Sequence, residues 1–374
     1  MRILSFADLH IGVKTFGVLD PKTGLNTCEI DALNLLDQII DHALSNNIKI
    51  IVFSGDMYKN NLPTTTLQTK VNEKIKRGVD SGLTILLLDG NHDISKMETT
   101  HSALKNFDIF NIEGVVHTRF HKEYIYEDNG EKIKFVFLPT YHTKEGIEEI
   151  VNNTIYDIPV IFIFHGTLQG ANLNDYLIEN REIFVNSAIF HRDGIKAVIC
   201  GHLHKYQILN RDPLIFYTGS TQRIDFNEEN QEKGFVVFNT KNLEHEFIEL
   251  NSQKFFTLDL NLITETDIEN KILNELNNNS EKIKDAIVRI RLDLEEGIRF
   301  DERKIYKELE KMEAKNILNI QKNFNYKRNI RDREMNENIS IAQGLELYYK
   351  NKSRSKERIE LGKKLIEESE KREK

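Results

Sequence analysis

Five stretches of this chain share one pattern, and it restricts the fold more than any other feature. In each, an apolar, β-branched run stops at an aspartate or a histidine, often with a glycine beside it. Residues 2–7 lead into Asp8-Leu9-His10, residues 49–53 into Ser54-Gly55-Asp56, and residues 83–88 into Asp89-Gly90-Asn91-His92-Asp93. Residues 159–164 lead into His165-Gly166, and residues 195–200 into Gly201-His202-Leu203-His204. Short apolar runs bounded by turn residues read as strands buried on both faces. An open α/β sheet collects its chemistry at the carboxyl ends of such strands. One Gly-Asn-His-Asp turn alone would be ordinary turn chemistry. Core packing gives no reason for five such exits in order.

Between the early runs, Ile30, Leu33, Leu36, Ile39, Ile40, Ala43 and Leu44 recur at helical spacing, as do Leu67, Val71, Ile75 and Val79. This alternation predicts a mainly parallel sheet with covering helices. Beyond Gly114 the strands shorten, to 123–126, 132–138, 159–164, 195–200, 214–217, 234–239 and 244–250, with a hairpin signal at Asp128-Asn129-Gly130. They predict a second, more antiparallel sheet packed on the first, with helices outside. The fold class expected is therefore α/β, a two-sheet sandwich with flanking helices.

A second unit begins near Ser252. Residues 255–262 and 286–294 alternate as strands, 267–276 and 301–312 repeat as helices, and 317–320 offers another strand. This small α/β domain carries none of the ligand-type clusters. From Tyr326 the chain becomes charged, with a linker-like segment before Ile339. Leu345, Tyr348 and Tyr349 then share a helical face, and Ile359, Gly362, Leu365 and Ile366 share one on the next helix. Ser353 and Ser355 lie in the break between them. The expected division is 1–252, 253–325 and 326–374.

With 374 residues and a net charge of −8, the chain can bury a large core and lacks the overall basic character of many nucleic-acid binders. Its charge is uneven, however. Residues 315–374 hold 16 Lys/Arg against 10 Asp/Glu. A solvated helical surface explains such mixed charge, and so does a local contact with a polyanion. Two cysteines, Cys28 and Cys200, exclude a disulfide or zinc framework. With no apolar signal segment and no membrane-length apolar run, a soluble protein of a reducing cytoplasm is expected.

The candidate ligands are Asp8, His10, Asp56, Asn91, His165, His202 and His204. Carboxylate, imidazole and one amide, without thiolate, suit Mn2+, Fe2+ or Zn2+ better than a closed structural zinc site. Seven ligands exceed one tetrahedral ion, but a bridging aspartate lets them serve two. A metal pair about 3.5–4 Å apart can activate water for in-line displacement at phosphorus. His42, His101, His117, His121, His142, His191 and His245 have no paired ligand nearby in sequence and read as ordinary hydrogen-bonded histidines.

The series Asp-X-His, Gly-Asp, Gly-Asn-His-Asp, His, Gly-His-X-His resembles the calcineurin-like metallophosphoesterase superfamily. Gly201-His202-Leu203-His204-Lys205, residues 217–226 (Tyr-Thr-Gly-Ser-Thr-Gln-Arg-Ile-Asp-Phe) and Glu232-Lys233-Gly234-Phe235 are similar to the SbcD nuclease family. That family is the nuclease half of complexes that process DNA ends with an SbcC ATPase. The resemblance implies one ion on Asp8, His10, Asp56 and His204, and another on Asp56, Asn91, His165 and His202. Asp56 would then bridge, and Mn2+ is the metal expected. It implies catalytic roles for His92, beside the metals, and Asp93, which would orient His92 or cap the following turn. It further implies a capping domain over 253–325 that meets double-stranded DNA ends, C-terminal helices that bind an SbcC-like, SMC-type ATPase, and a homodimer. One position departs from the pattern. Many relatives carry a second histidine three residues after the bridging aspartate, and Lys59 stands there. The alternative functions are a phosphatase or nucleotide phosphodiesterase acting on small phosphodiesters or phosphoproteins, and a non-catalytic scaffold. The complete ligand set argues against the scaffold.

Overall fold

The structure is a computed structural model and describes residues 1–95, 101–140, 142–173, 184–325, 340–350 and 356–372. Strands β1 (Arg2–Phe6), β2 (Ile50–Ser54) and β3 (Thr84–Leu88) alternate with helices α1 (Thr27–Ser45) and α2 (Thr65–Asp80). Helix α3 (Lys105–Phe110) leads to β4 (Val115–Thr118). Asn26 and Glu29 close a reciprocal capping box that starts α1. Next come β5 (Lys122–Asp128), β6 (Glu131–Phe137), α4 (Lys144–Asn153) and β7 (Val160–His165). The short strands β8 (Thr167–Leu168) and β9 (Phe184–Val185) precede β10 (Ile195–Gly201), β11 (Gln207–Arg211) and β12 (Leu214–Tyr217). The pair β13 (Gly234–Asn239) and β14 (His245–Glu249) follows.

Two six-stranded sheets result, in the orders β14-β13-β1-β2-β3-β4 and β11-β12-β10-β7-β6-β5. The period-2 alternation of each strand divides the core into three. Leu4, Phe6, Ile51, Phe53, Ile85 and Leu87 face α1 and α2, where Leu36, Ile39, Ile40, Val71 and Ile75 meet them. Ile3, Ile50, Val52, Leu86 and Leu88 point the other way, against Phe135, Phe137, Ile161, Ile163, Ile199 and Phe216 of the second sheet. Val136, Phe162, Val198 and Ile215 face outward beneath Ile147 and Val151 of α4. Residues 1–249 thus form an α/β sandwich with helices outside both sheets.

Two expectations change. The second sheet is no more antiparallel than the first, because β6, β7, β10 and β12 all run parallel and only β5 and β11 oppose their neighbours. The crossover from β7 to β10 contains, among the described residues, the short strands β8 and β9 and a 3-10 turn, Ser187–Phe190, but no α-helix. It therefore lacks the helical periodicity that announces a parallel connection. The β13–β14 hairpin joins the first sheet beside β1. Its alternation, with Phe235 and Val237 on one face and Val236 and Phe238 on the other, would suit either sheet. The hairpin signal between β5 and β6 does form a turn, with Asn129 and Gly130 at φ 51 and 79.

After β14 come β15 (Lys254–Asn261), α5 (Ile268–Asn278), α6 (Ser280–Ile283), β16 (Ala286–Glu295), α7 (Glu302–Lys311), β17 (Asn316–Ile317) and β18 (Gln321–Asn325). A third sheet has the order β15-β16-β17, with β18 also on β16. The chain forms two compact units. One holds Met1–Leu260, Asp267–Arg291 and Asp301–Gln321; the other holds Asn261–Thr266, Leu292–Phe300 and Lys322–Lys374. Within the first, Phe255 and Ile287 pack on Phe16 and Phe226, so its core continues past residue 252.

Helices α8 (Ile341–Lys350) and α9 (Lys356–Arg372) end the described chain. They lie close enough that a Cβ on Gly362 would meet the Leu345 side chain at 2.5 Å. Ser353, Ser355 and the segment before Ile339 fall outside the described residues, as do the side chains of Tyr348 and Tyr349. No helix among the described residues is long and apolar enough to cross a membrane.

Candidate metal centre

The five strand exits meet at one edge of the sandwich. β1, β2 and β3 run parallel in one sheet, and β7 and β10 run parallel in the other, so their carboxyl ends can share a cleft. Two exit turns interlock through backbone bonds, Asp8 N to Gly55 O at 2.9 Å and His10 N to Asp56 O at 3.0 Å. Asp8, His10, Asp56 and His202 all hold left-handed backbone, with φ of 53, 47, 64 and 96. Such conformations cost about 1–3 kcal/mol each and persist where surroundings over-determine them, most often at functional sites. Glycine makes the convergence possible. A Cβ on Gly55 would stand 2.2 Å from His165 Nδ1, and one on Gly90 would stand 2.1 Å from Asp56 Oδ1.

Asp56 lies at the centre. Its Oδ2 is 3.4 Å from His165 Nε2, 3.7 Å from His10 Nε2 and 4.0 Å from His92 Nε2. Burial alone would raise its carboxyl, but the imidazoles of His165, His10 and His92 outweigh burial and hold it well below the ordinary range. His10 Nε2 is 3.0 Å from His204 Nε2 and 4.0 Å from Asp8 Oδ1. Asn91 Oδ1 is 3.0 Å from His165 Nε2 and 3.1 Å from His202 Nδ1. The backbone N–H of His202 donates to both Asp8 oxygens, at 3.2 and 2.9 Å. Every expected ligand therefore reaches this cleft.

The donor set fits divalent ions. Asp8, His10 and His204 form one group whose ligand atoms lie within 4.8 Å of one another; Asp8, Asp56 and His165 form another. Two of the far ring nitrogens are already committed. His165 Nδ1 meets the Ser54 carbonyl at 2.7 Å, and His204 Nδ1 meets Glu228 Oε1 at 2.7 Å. With Nδ1 so committed, Nε2 is the nitrogen that each of these rings would offer to a cation, the usual outer-shell arrangement of metal-bound histidine. His92 also comes into range, in a third group with His10 and Asp56. Its Nδ1 lies 2.9 Å from the Lys59 carbonyl. Lys59, standing where many relatives carry histidine, thus supplies a backbone acceptor for the ring.

Asp93 does not orient the His92 ring in this structure. Its carboxylate accepts from the backbone N–H groups of Asp56, Met57, Tyr58 and Gly90, at 2.8, 3.2, 2.9 and 3.0 Å. It pins the Asp56 turn to the Asn91 turn, a contact across the sheet that local sequence does not display. Glu228 and Lys233 are further residues that ligand patterns miss. Burial would raise the Glu228 carboxyl, but hydrogen bonds from His204 and Lys233 hold it down at about 2. In sequence it lies in Asn227-Glu228-Glu229-Asn230, which looks like solvated surface.

His117 is no ligand, yet it is not ordinary either. Its side chain, almost fully buried, lies 3.0 Å from Asp89 and 3.1 Å from Asp108. Burial pulls the imidazole down, and the two carboxylates overcome that, raising it to about 9. The folded chain thus holds a proton that the unfolded chain releases near pH 6.5. The resulting stability is complete below that pH and is lost as pH climbs through about 9, amounting to about 3 kcal/mol. His165, raised to about 9 once the Asp56 charge overcomes burial, adds a similar slope in metal-free protein. Urea unfolding of the metal-free chain is therefore expected to show stability falling between pH 6.5 and 9. His117→Gln should remove part of that fall; an unchanged slope would show that His117 is not charged in the fold.

With this geometry in place, comparison with known proteins decides the family. Residues 1–206 match calcineurin-like phosphoesterase. The chain belongs to that family. The phosphoesterase is 24% identical over 256 residues to YhaO of Bacillus subtilis, an uncharacterized metallophosphoesterase, covering 66% of this chain and 60% of YhaO. It is 25% identical over 258 residues to SbcD, the D component of the SbcCD nuclease, of Staphylococcus epidermidis, covering 65% of this chain and 67% of that one. It is 25% identical over 115 residues to the DNA double-strand break repair protein Mre11 of Saccharolobus solfataricus, covering 30% and 28%. The first two of these likenesses thus extend beyond the length of the family match. The chain spans less than two thirds of YhaO and under a third of Mre11.

Proposed function

We propose that this phosphoesterase is a two-metal DNA nuclease that processes double-strand ends with an SbcC-like, SMC-type ATPase. The observation that carries the hydrolytic part is Asp56. One of its oxygens lies within 4 Å of imidazoles from both halves of the cleft, as a bridging ligand requires. Asp8, His10, Asp56 and His204 would hold one ion, and Asp56, Asn91, His165 and His202 the other. Mn2+ suits this oxygen-and-imidazole set. The chemistry such a pair supplies is Lewis-acid activation of water and neutralisation of phosphate charge. His92 then has the protein's own part. With Nδ1–H held by the Lys59 carbonyl, Nε2 faces the cleft, and from the imidazolium form of the ring it can pass its proton to the leaving oxygen, leaving the neutral Nδ1–H tautomer. Asp93 holds the two turns in register as a positioning residue.

The likeness to SbcD and Mre11 supports DNA as the substrate, with residues 253–325 as the capping region that meets it. The comparable likeness to YhaO, whose name specifies no substrate, keeps a small-phosphodiester or phosphoprotein reading in play. The deciding assay compares linear duplex DNA with a small chromogenic phosphodiester in Mn2+. Degradation of the duplex is expected; turnover of the small ester with intact duplex would favour the second reading.

We place the ATPase contact on residues 326–374. Leu361 and Leu365 sit four apart on α9 and are 60% and 59% exposed, an unpaired apolar edge suited to helix-in-groove docking. Leu361→Glu with Leu365→Glu should abolish co-purification with an SbcC-like ATPase and move the melting temperature by no more than about 2 °C. Retained binding with a large drop in melting temperature would mean that the helices fold back on the chain itself. A homodimer belongs to the same proposal, and Ile109 and Phe110 of α3 offer it an exposed apolar surface.

A further inference from the structure

The turn of residues 226–229 grips three things at once. Glu228 turns inward, with Oε1 2.7 Å from His204 Nδ1 and Oε2 2.8 Å from Lys233 Nζ. The Ile224 N–H donates to the same Oε2 at 3.2 Å. Lys233 is fully buried and donates also to Ser220 Oγ, the Gln231 side chain and the His204 carbonyl, at 2.8, 3.0 and 3.2 Å. The residues on either side of Glu228 face β15 and β16 instead. Phe226 packs on Phe255, with ring centroids 4.7 Å apart, and the Arg289 guanidinium lies 4.0 Å above its ring. Glu229 accepts from the Thr257 N–H at 2.8 Å and from its hydroxyl at 2.5 Å. Arg289 Nη2 completes the group with a 3.0 Å bond to Thr257 Oγ1.

A carboxylate on Nδ1 selects one tautomer. It keeps the proton there and leaves Nε2 as a lone pair aimed at His10 and Asp8. A ring free to exchange tautomers would present N–H to the cleft part of the time and would bind a cation less well. Glu228 is itself held from two sides, by Lys233 and by the anchored turn, so its position depends on how β15 and β16 seat against Phe226 and Glu229. We propose that Glu228 is the positioning residue for His204, and that the turn bearing it couples the His204 half of the cleft to strands β15 and β16. The proposal rests on the two-metal reading. It adds that one metal site responds to changes in the β15–β16 region, where the capping function was placed.

Because Glu228→Ala would strand the buried Lys233 charge, the test uses Glu228→Gln with Lys233→Met, which removes both charges and nearly keeps the volume. Mn2+ calorimetry on the full chain should show two equivalents for wild type and a loss of about 10- to 100-fold in affinity for one of them in the double variant. In metal-free protein with 15N-labelled histidine, the His204 ring should move from the Nδ1–H form to a mixture of tautomers. Thr257→Val, remote from the cleft, should weaken the same equivalent several-fold and spare the other. A double variant with the Nδ1–H form and both affinities intact would overturn the positioning role, and an unaffected Thr257→Val would overturn the coupling. Wild-type protein that binds no Mn2+ would refute the two-metal reading itself, a result distinct from either.

Discussion

Asp56→Ala is expected to cost the chain both tight divalent ions and all phosphodiester cleavage. The two groups of imidazoles approach the same Asp56 oxygen, His10 at 3.7 Å and His165 at 3.4 Å. Removing the carboxylate takes a negative charge from both halves of the cleft at once, and no neighbouring acid can swing in. Asp8 already accepts from the His202 backbone, and Asp93 is engaged by four N–H groups. The loss should therefore exceed the 10- to 100-fold typical of an outer-shell partner. Asp56→Asn keeps the shape and removes only the charge, so it separates the two contributions. Calorimetric Mn2+ titration is the measurement, and two tight equivalents in either variant would place the bridge elsewhere.

His92→Ala should give the opposite split. The ring borders His10 and Asp56, and geometry alone would admit it as a ligand. Its Nδ1, however, is held by the Lys59 carbonyl, and its side chain is more than a third exposed while Asp8, His10 and His165 are buried. A half-open imidazole at the lip suits proton transfer to a leaving group. Its removal should lower kcat by about 10^2- to 10^4-fold, the usual contribution of a general acid. Both metal equivalents should remain in the purified variant. Loss of one equivalent would make His92 a ligand and require another residue as acid.

The sequence by itself marked out the residues that converge on the cleft. An apolar run and its polar stop are adjacent in the chain, so Asp8, His10, Asp56, Asn91, His165, His202 and His204 were all legible, as were α1, α2 and the β5–β6 turn. Contacts between distant residues were not. Glu228 meets His204 across 24 residues, and Asp93 meets Asp56 across 37; neither carries a local signature that separates it from polar surface or a turn cap. The β13–β14 hairpin alternates in a way that fits either sheet, and only its pairing with β1 decided its place. Local periodicity reports which face of an element is buried; which partner buries it is a property of the assembled chain. Tertiary structure alone therefore brought a buried Lys–Glu–His chain to the edge of the cleft, and assigned Asp93 to backbone N–H groups instead of to His92.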